Sequence, residues 1–340
     1  MILVFIFLAI LCVWKIQFSR FNKDYCGLDQ ATAIKGIFAF LIFFSHASTY
    51  IQFSGHWPDT YFLKIMGYIG QSVVALFFFY SGYGINESIF KKPEYGKKLT
   101  QRVLFLLITL DIAVFFQLLA TTFLGIRFPI TNYIFCWIGY EDIGNSNWFV
   151  FVLLSLYLIS LIAMKFKNWP LSAKILFPII GLWLFLYYFK KPEYWWYDSL
   201  IAFPLGVLYS EEKSSIDAFL GKNLSVGIIV IMLMTLLYLG AHHLIGTDDY
   251  GIVCALFCLM VVSLTTRIRI VNPILNWLGR NALALYLLQR IPMMVLSHWG
   301  INENHFVFIV LTLIITLPLS ELFTKGTRFL NNRILTRYYA

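Results

Sequence analysis

The sequence predicts an all-α integral membrane protein, a polytopic bundle of about ten core transmembrane helices with one additional N-terminal helix. Sixty per cent of its residues are hydrophobic and the mean hydropathy is +0.76. A soluble core of 340 residues could not bury that much apolar surface. The apolar residues fall into runs near the length of a membrane-spanning helix, and short basic segments separate the runs, as expected of loops between spans.

Eleven apolar segments follow one another along the chain, and we take each as a predicted span: 1–18, 34–54, 66–85, 103–125, 147–164, 175–189, 197–209, 224–244, 250–266, 281–297 and 306–323. Segments 1–18 and 197–209 are short, and Arg290 interrupts 281–297. The first segment lacks the basic n-region of a signal peptide, and its charged residues follow it. We therefore expect a retained N-terminal helix.

The distribution of Lys and Arg predicts the orientation of the bundle. Of the 26 basic residues, five lie in predicted outer loops or, for Arg290, within a span: Lys64, Arg127, Lys190, Lys191 and Arg290. The others lie in alternate loops and at the C-terminus, which the positive-inside rule places in the cytoplasm. The net charge of +9 thus follows membrane topology, and we predict no nucleic-acid partner because the basic residues form no single face.

The chain shows no repeat, low-complexity tract or linker, which predicts one membrane domain. We predict a hydrophobic helix and basic linker over 1–27, the membrane domain over 28–325 and a basic cytoplasmic tail over 326–340. The five cysteines form no C-x-x-C pair and are expected to pack as apolar residues: Cys12, Cys26, Cys136, Cys254 and Cys258. We predict no metal site, because these histidines lack a third ligand at regular spacing: His242, His243, His298 and His305.

The segment IKGIFAFLIFFSHA, residues 34–47, has two polar side chains in an apolar run. Lys35 and His46 are eleven residues apart, close to three helical turns and roughly 16 Å of rise, so both lie on one helix face. The orientation puts Lys35 at the cytoplasmic boundary and His46 near mid-membrane. A neutral imidazole at that depth suits a general base. Alternatively, His46 hydrogen-bonds a neighbouring helix while Lys35 extends to lipid headgroups.

The spacing of a basic residue, ten residues and a histidine resembles the signature of the membrane-bound acyltransferase-3 family. Other segments resemble the family in the same order: GQSVVALFFFYSGYG (70–84), KKLTQRVLF (97–105), NWFVFVLLSLYLI (147–159), WWYDSLIAFPLGVLYS (195–210) and LNWLGRNALALYLLQ (275–289). The resemblance covers about residues 28–325. Three positions depart from the pattern: Thr32, Phe105 and Gln289 stand where the family often has Asp, Arg and His.

The resemblance implies an O-acyltransferase of the bacterial cytoplasmic membrane. It would move an acetyl group from cytoplasmic acetyl-CoA to a hydroxyl of a cell-surface polysaccharide, a lipid-linked glycan or a related envelope acceptor. Acetyl-CoA would be a co-substrate, and no permanently bound cofactor is expected. Two mechanisms remain open, one with His46 as general base and one in which His46 carries the acyl group.

The same resemblance suggests site residues. For the donor we expect cations on the CoA phosphates and small or aromatic residues beside the pantetheine arm: Lys35, Lys98, Arg102, Ser81, Gly82 and Tyr83. For the acceptor we expect Trp148, Tyr286, Glu141 and Asp142.

Asp111 lies about nine residues into the span after Arg102, and a carboxylate at that depth needs a partner. It is expected either to orient His46 or to pair with Arg290 or a backbone donor for structural reasons. A different class of protein, a proton-coupled transporter, would also use His46, Asp111 and Arg290. The halves of the sequence show no clear symmetry in support of that reading.

Overall fold

The computed structural model describes residues 2–53, 55, 57–91, 94–166, 169–190, 193–245 and 250–339, and within these ranges it leaves out the side chains of 2–4, 8, 57, 58 and 334–339. Three basic residues of the topology prediction, Lys92, Lys167 and Lys191, lie outside the described residues, as does the side chain of Arg337.

The first half of the chain is a series of helices with one short strand. These elements are α1 (Ile2–Val13), β1 (Ile16–Phe18), α2 (Leu28–Ser48), α3 (Trp57–Ile69), α4 (Ser72–Lys91), α5 (Tyr95–Phe123), α6 (Ile130–Phe135), α7 (Trp148–Ala163) and α8 (Leu171–Lys190). A 3-10 turn, Cys136–Ile138, follows α6.

The second half contains more short helices than the first. Its elements are α9 (Ala202–Glu211), α10 (Lys213–Leu220), α11 (Leu224–Ile245), α12 (Tyr250–Thr265), β2 (Ile268–Ile270), α13 (Pro273–Arg280), α14 (Ala282–Leu288), α15 (Arg290–His298) and α16 (His305–Tyr339). Two further 3-10 turns lie at Tyr194–Trp196 and Ile301–Glu303.

The predicted all-α membrane bundle is confirmed. Within the described ranges, six stretches are long and apolar enough to cross a membrane: Leu28–Ser48, Asp59–Lys91, Tyr95–Phe123, Leu171–Lys190, Leu224–Ile245 and His305–Arg333. The apolar helices Trp148–Ala163 and Tyr250–Thr265 are shorter. The total of about ten core spans stays a prediction.

Helix ends differ from the hydropathy boundaries where polar residues extend a helix or a turn divides a segment. The predicted span 34–54 is a helix from Leu28 to Ser48, because the polar first turn continues the apolar run. The predicted span 281–297 is two helices that meet at Gln289. The segment 1–18 ends in a strand, because Lys15 has a positive φ of 60° that turns the chain into β1.

A two-stranded antiparallel ribbon joins regions far apart in sequence, and hydropathy did not predict it. Ile16 pairs with Ile270, and Phe18 pairs with Ile268. Asn272 anchors the ribbon to both sides, since its Nδ2 donates to the carbonyl of Leu11 at 2.8 Å while its Oδ1 caps α13. The ribbon thereby fixes α1 against the start of α13.

Glycines allow two pairs of helices to cross at backbone contact. A Cβ on Gly36 of α2 would lie 2.1 Å from the carbonyl oxygen of Leu275 in α13, and one on Gly279 would lie 1.8 Å from that of Thr32. The second crossing joins α4 and α9 through Gly82 and Gly206. Such close approach needs residues without a side chain.

Alternate loops of the predicted topology meet at one end of the bundle. Ile270 donates its backbone N–H to Gln30 at 3.0 Å, and Ser172 contacts Glu211. Arg267 donates to the carbonyl of Leu220 at 2.7 Å. We call this end, which holds β1, β2 and the first turn of α2, the ribbon end, and the opposite end the far end.

Candidate functional site

Helix α2 connects the two ends, and its polar residues open into two different cavities. Lys35 lines a cavity toward the ribbon end, and His46 lines another toward the far end. The helix is otherwise largely buried in the bundle. The helix face that carries Lys35 and His46 therefore borders one cavity after the other inside the bundle.

The first cavity has a basic mouth and an apolar interior, and we call it the basic cavity. Its volume is about 280 Å³. Lys35, Arg102 and Arg280 supply its positive charges. The described lining further includes Ala39, Ile42, Val74, Phe77, Ser81, Phe105, Leu106, Phe149, Leu153, Tyr157, Gly279, Ala282, Leu283 and Tyr286.

Arg102 is held in place at the start of α5. Its Nη1 donates a hydrogen bond of 2.7 Å to the hydroxyl of Tyr95, and the guanidinium carbon lies 5.5 Å from the centre of that ring. Tyr95 is buried, so its ring provides a fixed support. Among the described residues, the other guanidinium donors of Arg102 have no hydrogen-bond partner, so they can bind an anion in the cavity.

The second cavity contains His46 and aromatic residues, and we call it the histidine cavity. Its volume is about 380 Å³. Its polar and aromatic lining among the described residues is Ser45, His46, Gln71, Trp148, Tyr194, Tyr250 and Tyr286. Flat apolar faces with a few polar groups are typical of a small-molecule site.

The two cavities share a wall beside His46. Ile42, Val74 and Tyr286 line both of them. The ring centres of Tyr286 and His46 are 5.7 Å apart. Tyr286 is fixed because its hydroxyl donates a short hydrogen bond to the carbonyl of Ser146. Molecules entering from opposite ends would therefore meet next to the imidazole.

Gln289 holds the imidazole of His46. The side-chain amide of Gln289 lies 2.8 Å from His46 Nδ1, and Gln289 is only 1% exposed. Because Gln289 occupies the break between α14 and α15, its side chain reaches across to α2. The sequence comparison marked Gln289 as a departure from the family pattern without assigning it a contact.

Arg290 brings a positive charge to the same region. Arg290 directly follows Gln289 and begins α15, so its guanidinium enters the bundle beside the residue that contacts His46. No ion pair joins Arg290 to Asp111 in the part of the chain that the structure describes. Arg290 is not part of the described lining of either cavity, and its Nε is buried without a hydrogen-bond partner among the described residues.

Three predicted donor residues lie away from the described cavity lining. A Cβ on Gly82 would be 2.2 Å from the carbonyl oxygen of Phe203, and one on Gly206 would be 2.1 Å from that of Phe79. Gly82 therefore belongs to the crossing of α4 with α9, which leaves no space for a pantetheine arm. Tyr83 is buried on the same helix, and Lys98 is exposed to solvent.

The carboxylates that were predicted to act at the site, on Asp111 and Glu141, do not contact His46 and lie beside other residues. Asp111 lies near Cys136, and its Oδ1 is buried without a hydrogen-bond partner among the described residues. His46 Nδ1 contacts Gln289 in the position expected for Asp111. Glu141 forms an ion pair of 2.8 Å with the buried Lys190.

Lys190 holds the loop before α7. Its ammonium lies 4.0 Å from the ring centre of Tyr140 and 4.7 Å from that of Trp196. Asp142 also stabilises this loop, because its carboxylate accepts the N–H of Gly144 at 3.2 Å and its carbonyl accepts from Asn132. Both acidic residues thus shape the loop and do not appear in the described lining of the histidine cavity.

The site also includes residues that the sequence reasoning did not select. Arg280 is the third cation of the basic cavity, and Tyr194 and Tyr250 line the histidine cavity. Arg280 lies within the motif LNWLGRNALALYLLQ, which is the signal that could have identified it. Among the described residues, no group of three or more His, Cys, Asp or Glu side chains is arranged to hold a metal ion.

The family profile described as an acyltransferase domain, the acyltransferase-3 profile, matches residues 28–325. The chain belongs to the acyltransferase-3 family. The resemblance seen in the sequence is therefore confirmed, and this acyltransferase-3 protein is a membrane acyltransferase. Searches among curated proteins and among solved structures each gave no match.

Within this acyltransferase-3 protein, two of the family-like motifs converge on the cavities. The motif from Lys35 to His46 forms α2, and the motif from Leu275 to Gln289 forms α13 and α14. Their contacts include the crossing at Gly36 and the hydrogen bond between Gln289 and His46. The two cavities therefore lie where two of the family-like motifs meet.

Proposed function

We propose that the protein transfers an acetyl group from acetyl-CoA, bound in the basic cavity, to a hydroxyl of an acceptor bound in the histidine cavity. The observation that supports this most directly is the shared wall beside His46 between a cationic cavity and an aromatic one. Three cations suit the phosphates of CoA, and the apolar interior suits its pantetheine arm.

The proposed acceptor is a cell-surface polysaccharide, a lipid-linked glycan or a related envelope molecule. The rings of Trp148, Tyr194 and Tyr250 offer flat surfaces for a sugar, and the two tyrosines add hydroxyl groups for hydrogen bonding. We propose that the protein lies in the bacterial cytoplasmic membrane with the ribbon end and the C-terminus in the cytoplasm, where acetyl-CoA is made. The excess of basic residues in alternate loops supports this orientation.

In the proposed reaction, His46 acts as general base. Its unprotonated nitrogen accepts the acceptor hydroxyl proton while the hydroxyl oxygen attacks the thioester carbonyl. The positive charge of Arg290 suits the oxyanion that forms on that carbonyl. The carbon–sulfur bond then breaks, and the leaving thiolate takes the proton from His46 to give free CoA.

The first test is acetyl transfer by the purified protein in proteoliposomes. Acetyl-CoA labelled on the acetyl group is added with a cell-envelope extract, and both thioester loss and labelled product are measured. We expect His46→Ala to lower turnover by about 10²- to 10⁴-fold, the usual contribution of a general base. The matched control is His298→Ala, because His298 is exposed and does not belong to the described lining of either cavity.

The outcome separates the proposed mechanism from its alternatives. Turnover that is lost in a folded His46→Ala protein and kept in His298→Ala supports the base, and the labelled product identifies the acceptor. Equal turnover in all three proteins would remove His46 from the mechanism. Label recovered on His46 after rapid quenching would instead indicate the acyl relay.

A further inference from the structure

A third cavity lies at the ribbon end, outside both cavities described above. Its volume is about 280 Å³, and it is bounded by the ribbon, the first turn of α2 and helix α13. Its polar lining includes Asn22, Asp24, Asp29, Arg269, Asn276 and Arg280. Arg280 also lines the basic cavity, so the two cavities adjoin at one guanidinium.

A buried amide in this cavity has an unused hydrogen-bond donor. Gln30 is 4% exposed, and its Oε1 accepts the backbone N–H of Ile270 at 3.0 Å. Its Nε2 is buried with no hydrogen-bond partner among the described residues. Buried donors are nearly always paired in folded proteins, so the free Nε2 points to an acceptor atom of a ligand.

The charges of the lining favour a ligand with both anionic and hydrogen-bond donor groups. Arg269 and Arg280 suit phosphate oxygens. Asp24 and Asp29 would repel a ligand that was anionic throughout, but they accept hydrogen bonds from amino or hydroxyl groups. A phosphorylated nucleoside has both kinds of group.

We propose that this cavity binds the nucleotide end of the acyl-CoA donor, that is, its adenosine and phosphates. This inference rests on the proposed function. Because Arg280 borders the basic cavity, it would contact the diphosphate that joins the nucleotide to the pantetheine arm. Arg269, on the ribbon, would contact the 3′-phosphate.

The order of the cavities along α2 matches the order of groups in acyl-CoA. Asp29 and Gln30 line the proposed nucleotide cavity, Lys35 and Ala39 line the basic cavity, and His46 lines the histidine cavity. From Gln30 to His46 the helix rises about 24 Å. A nucleotide at Gln30 would place the pantetheine arm along Lys35 and the thioester near the shared wall.

The test compares ligands that differ only in the groups this cavity would bind. Affinities of CoA, 3′-dephospho-CoA, and adenosine 3′,5′-bisphosphate are measured by titration calorimetry on the full chain in nanodiscs. We expect the unmodified protein to bind CoA at least about tenfold more tightly than 3′-dephospho-CoA, since an arginine–phosphate contact is charge-assisted. Arg269→Gln should reduce this preference to less than about twofold.

The matched control is Lys222→Gln, which removes an exposed positive charge outside the described cavity linings. It should keep the preference for CoA. The preference is a ratio measured within one preparation, so a partly unfolded variant does not change it. An unchanged ratio in Arg269→Gln, or an equal loss in Lys222→Gln, would overturn the assignment.

Acetyl transfer, measured in parallel, separates this inference from the proposed function. If transfer from acetyl-CoA continues while the unmodified protein binds CoA and 3′-dephospho-CoA equally, the nucleotide cavity alone is rejected. If no transfer occurs but adenosine 3′,5′-bisphosphate binds in an Arg269-dependent manner, the cavity is supported and the proposed reaction fails. If none of the three ligands binds, both are rejected.

Discussion

The imidazole of His46 has two nitrogens, and its contact with Gln289 distinguishes them. An amide can present either its NH₂ group or its oxygen to Nδ1, because the two groups have nearly the same size and shape. With the NH₂ group toward Nδ1, the ring hydrogen lies on Nε2, and Gln289 Oε1 is buried without a partner among the described residues. With the oxygen toward Nδ1–H, Nε2 is left free to act as the base.

We expect Gln289 to be a positioning residue for His46. Gln289→Met should lower kcat roughly tenfold or more while leaving KM for acetyl-CoA nearly unchanged, because it removes the acceptor of Nδ1–H but lines neither cavity. Gln289→Glu keeps an acceptor oxygen at the same reach and should recover most of the lost kcat. The measurement is steady-state acetyl transfer by both variants.

A purely structural Gln289 would give a different pattern. Gln289→Met and Gln289→Glu would then lose activity in proportion to the folded protein recovered from size-exclusion chromatography. The positioning role is contradicted if kcat per folded protein is the same in both variants.

At the level of secondary-structure elements, helices α4 and α9 cross in close contact, and this crossing depends on Gly82 and Gly206. Added Cβ atoms would lie 2.2 Å and 2.1 Å from opposing backbone oxygens. Backbone cannot move aside as a flexible side chain can, so the helices would have to separate. That separation would displace Ser81 and Val74, which line the basic cavity from α4.

We predict that Gly82→Ala and Gly206→Ala each destabilise the protein by roughly 1–3 kcal/mol through overpacking. The measurement is the temperature at which half of the protein remains monodisperse in detergent. Gly181→Ala and Gly240→Ala are the matched controls, because no heavy atom lies within 4 Å of a Cβ added there. These controls should be neutral or slightly stabilising, since Ala favours a helix over Gly by about 1 kcal/mol.

The opposite ranking would show that these crossings tolerate side chains. In that case, the close approach of α4 and α9 would not define the wall of the basic cavity.

The orientation of the whole bundle can be tested with introduced cysteines. Cys26, Cys136, Cys254 and Cys258 are buried, which keeps background labelling low. Lys222→Cys marks the ribbon end and Glu303→Cys the far end, and both positions are exposed. A membrane-impermeant maleimide added to intact cells should label Cys at 303, and it should label Cys at 222 only after permeabilisation.

Labelling of Cys at 222 in intact cells would show that the ribbon end faces outward, so the proposed orientation would be wrong. The basic cavity would then open away from cytoplasmic acetyl-CoA, and the proposed direction of acetyl transfer would be wrong.

Much of the membrane architecture could be read from the chain because hydropathy is a local property. Runs such as Leu224–Ile245 and Tyr250–Thr265 are apolar throughout, and the structure has helices within a residue or two of the predicted limits. The common face of Lys35 and His46 also follows from one helical period. The family was evident from the spacing and order of its motifs.

Contacts between distant segments could not be predicted in this way. Gln289 meets His46 across 243 positions of sequence, and Ile16 pairs with Ile270. Lys190 and Glu141 form a partly buried ion pair, whereas the sequence alone suggested a topology-setting charge for Lys190 and acceptor binding for Glu141. Neither hydropathy nor helical periodicity contains information on which segments become neighbours.

The amino-acid sequence alone determined the class of this protein, its apolar segments, its helix with two polar residues on one face, and its family, because each depends on residues close together in the chain. The tertiary structure decided which residues surround the site. Arg280 lines the basic cavity together with Lys35 and Arg102, and Tyr286 lines both cavities at their shared wall. Gly82 lies at the crossing of α4 with α9. Those outcomes depend on how close two backbones can approach, which is set by packing between helices and not by the pattern within either one.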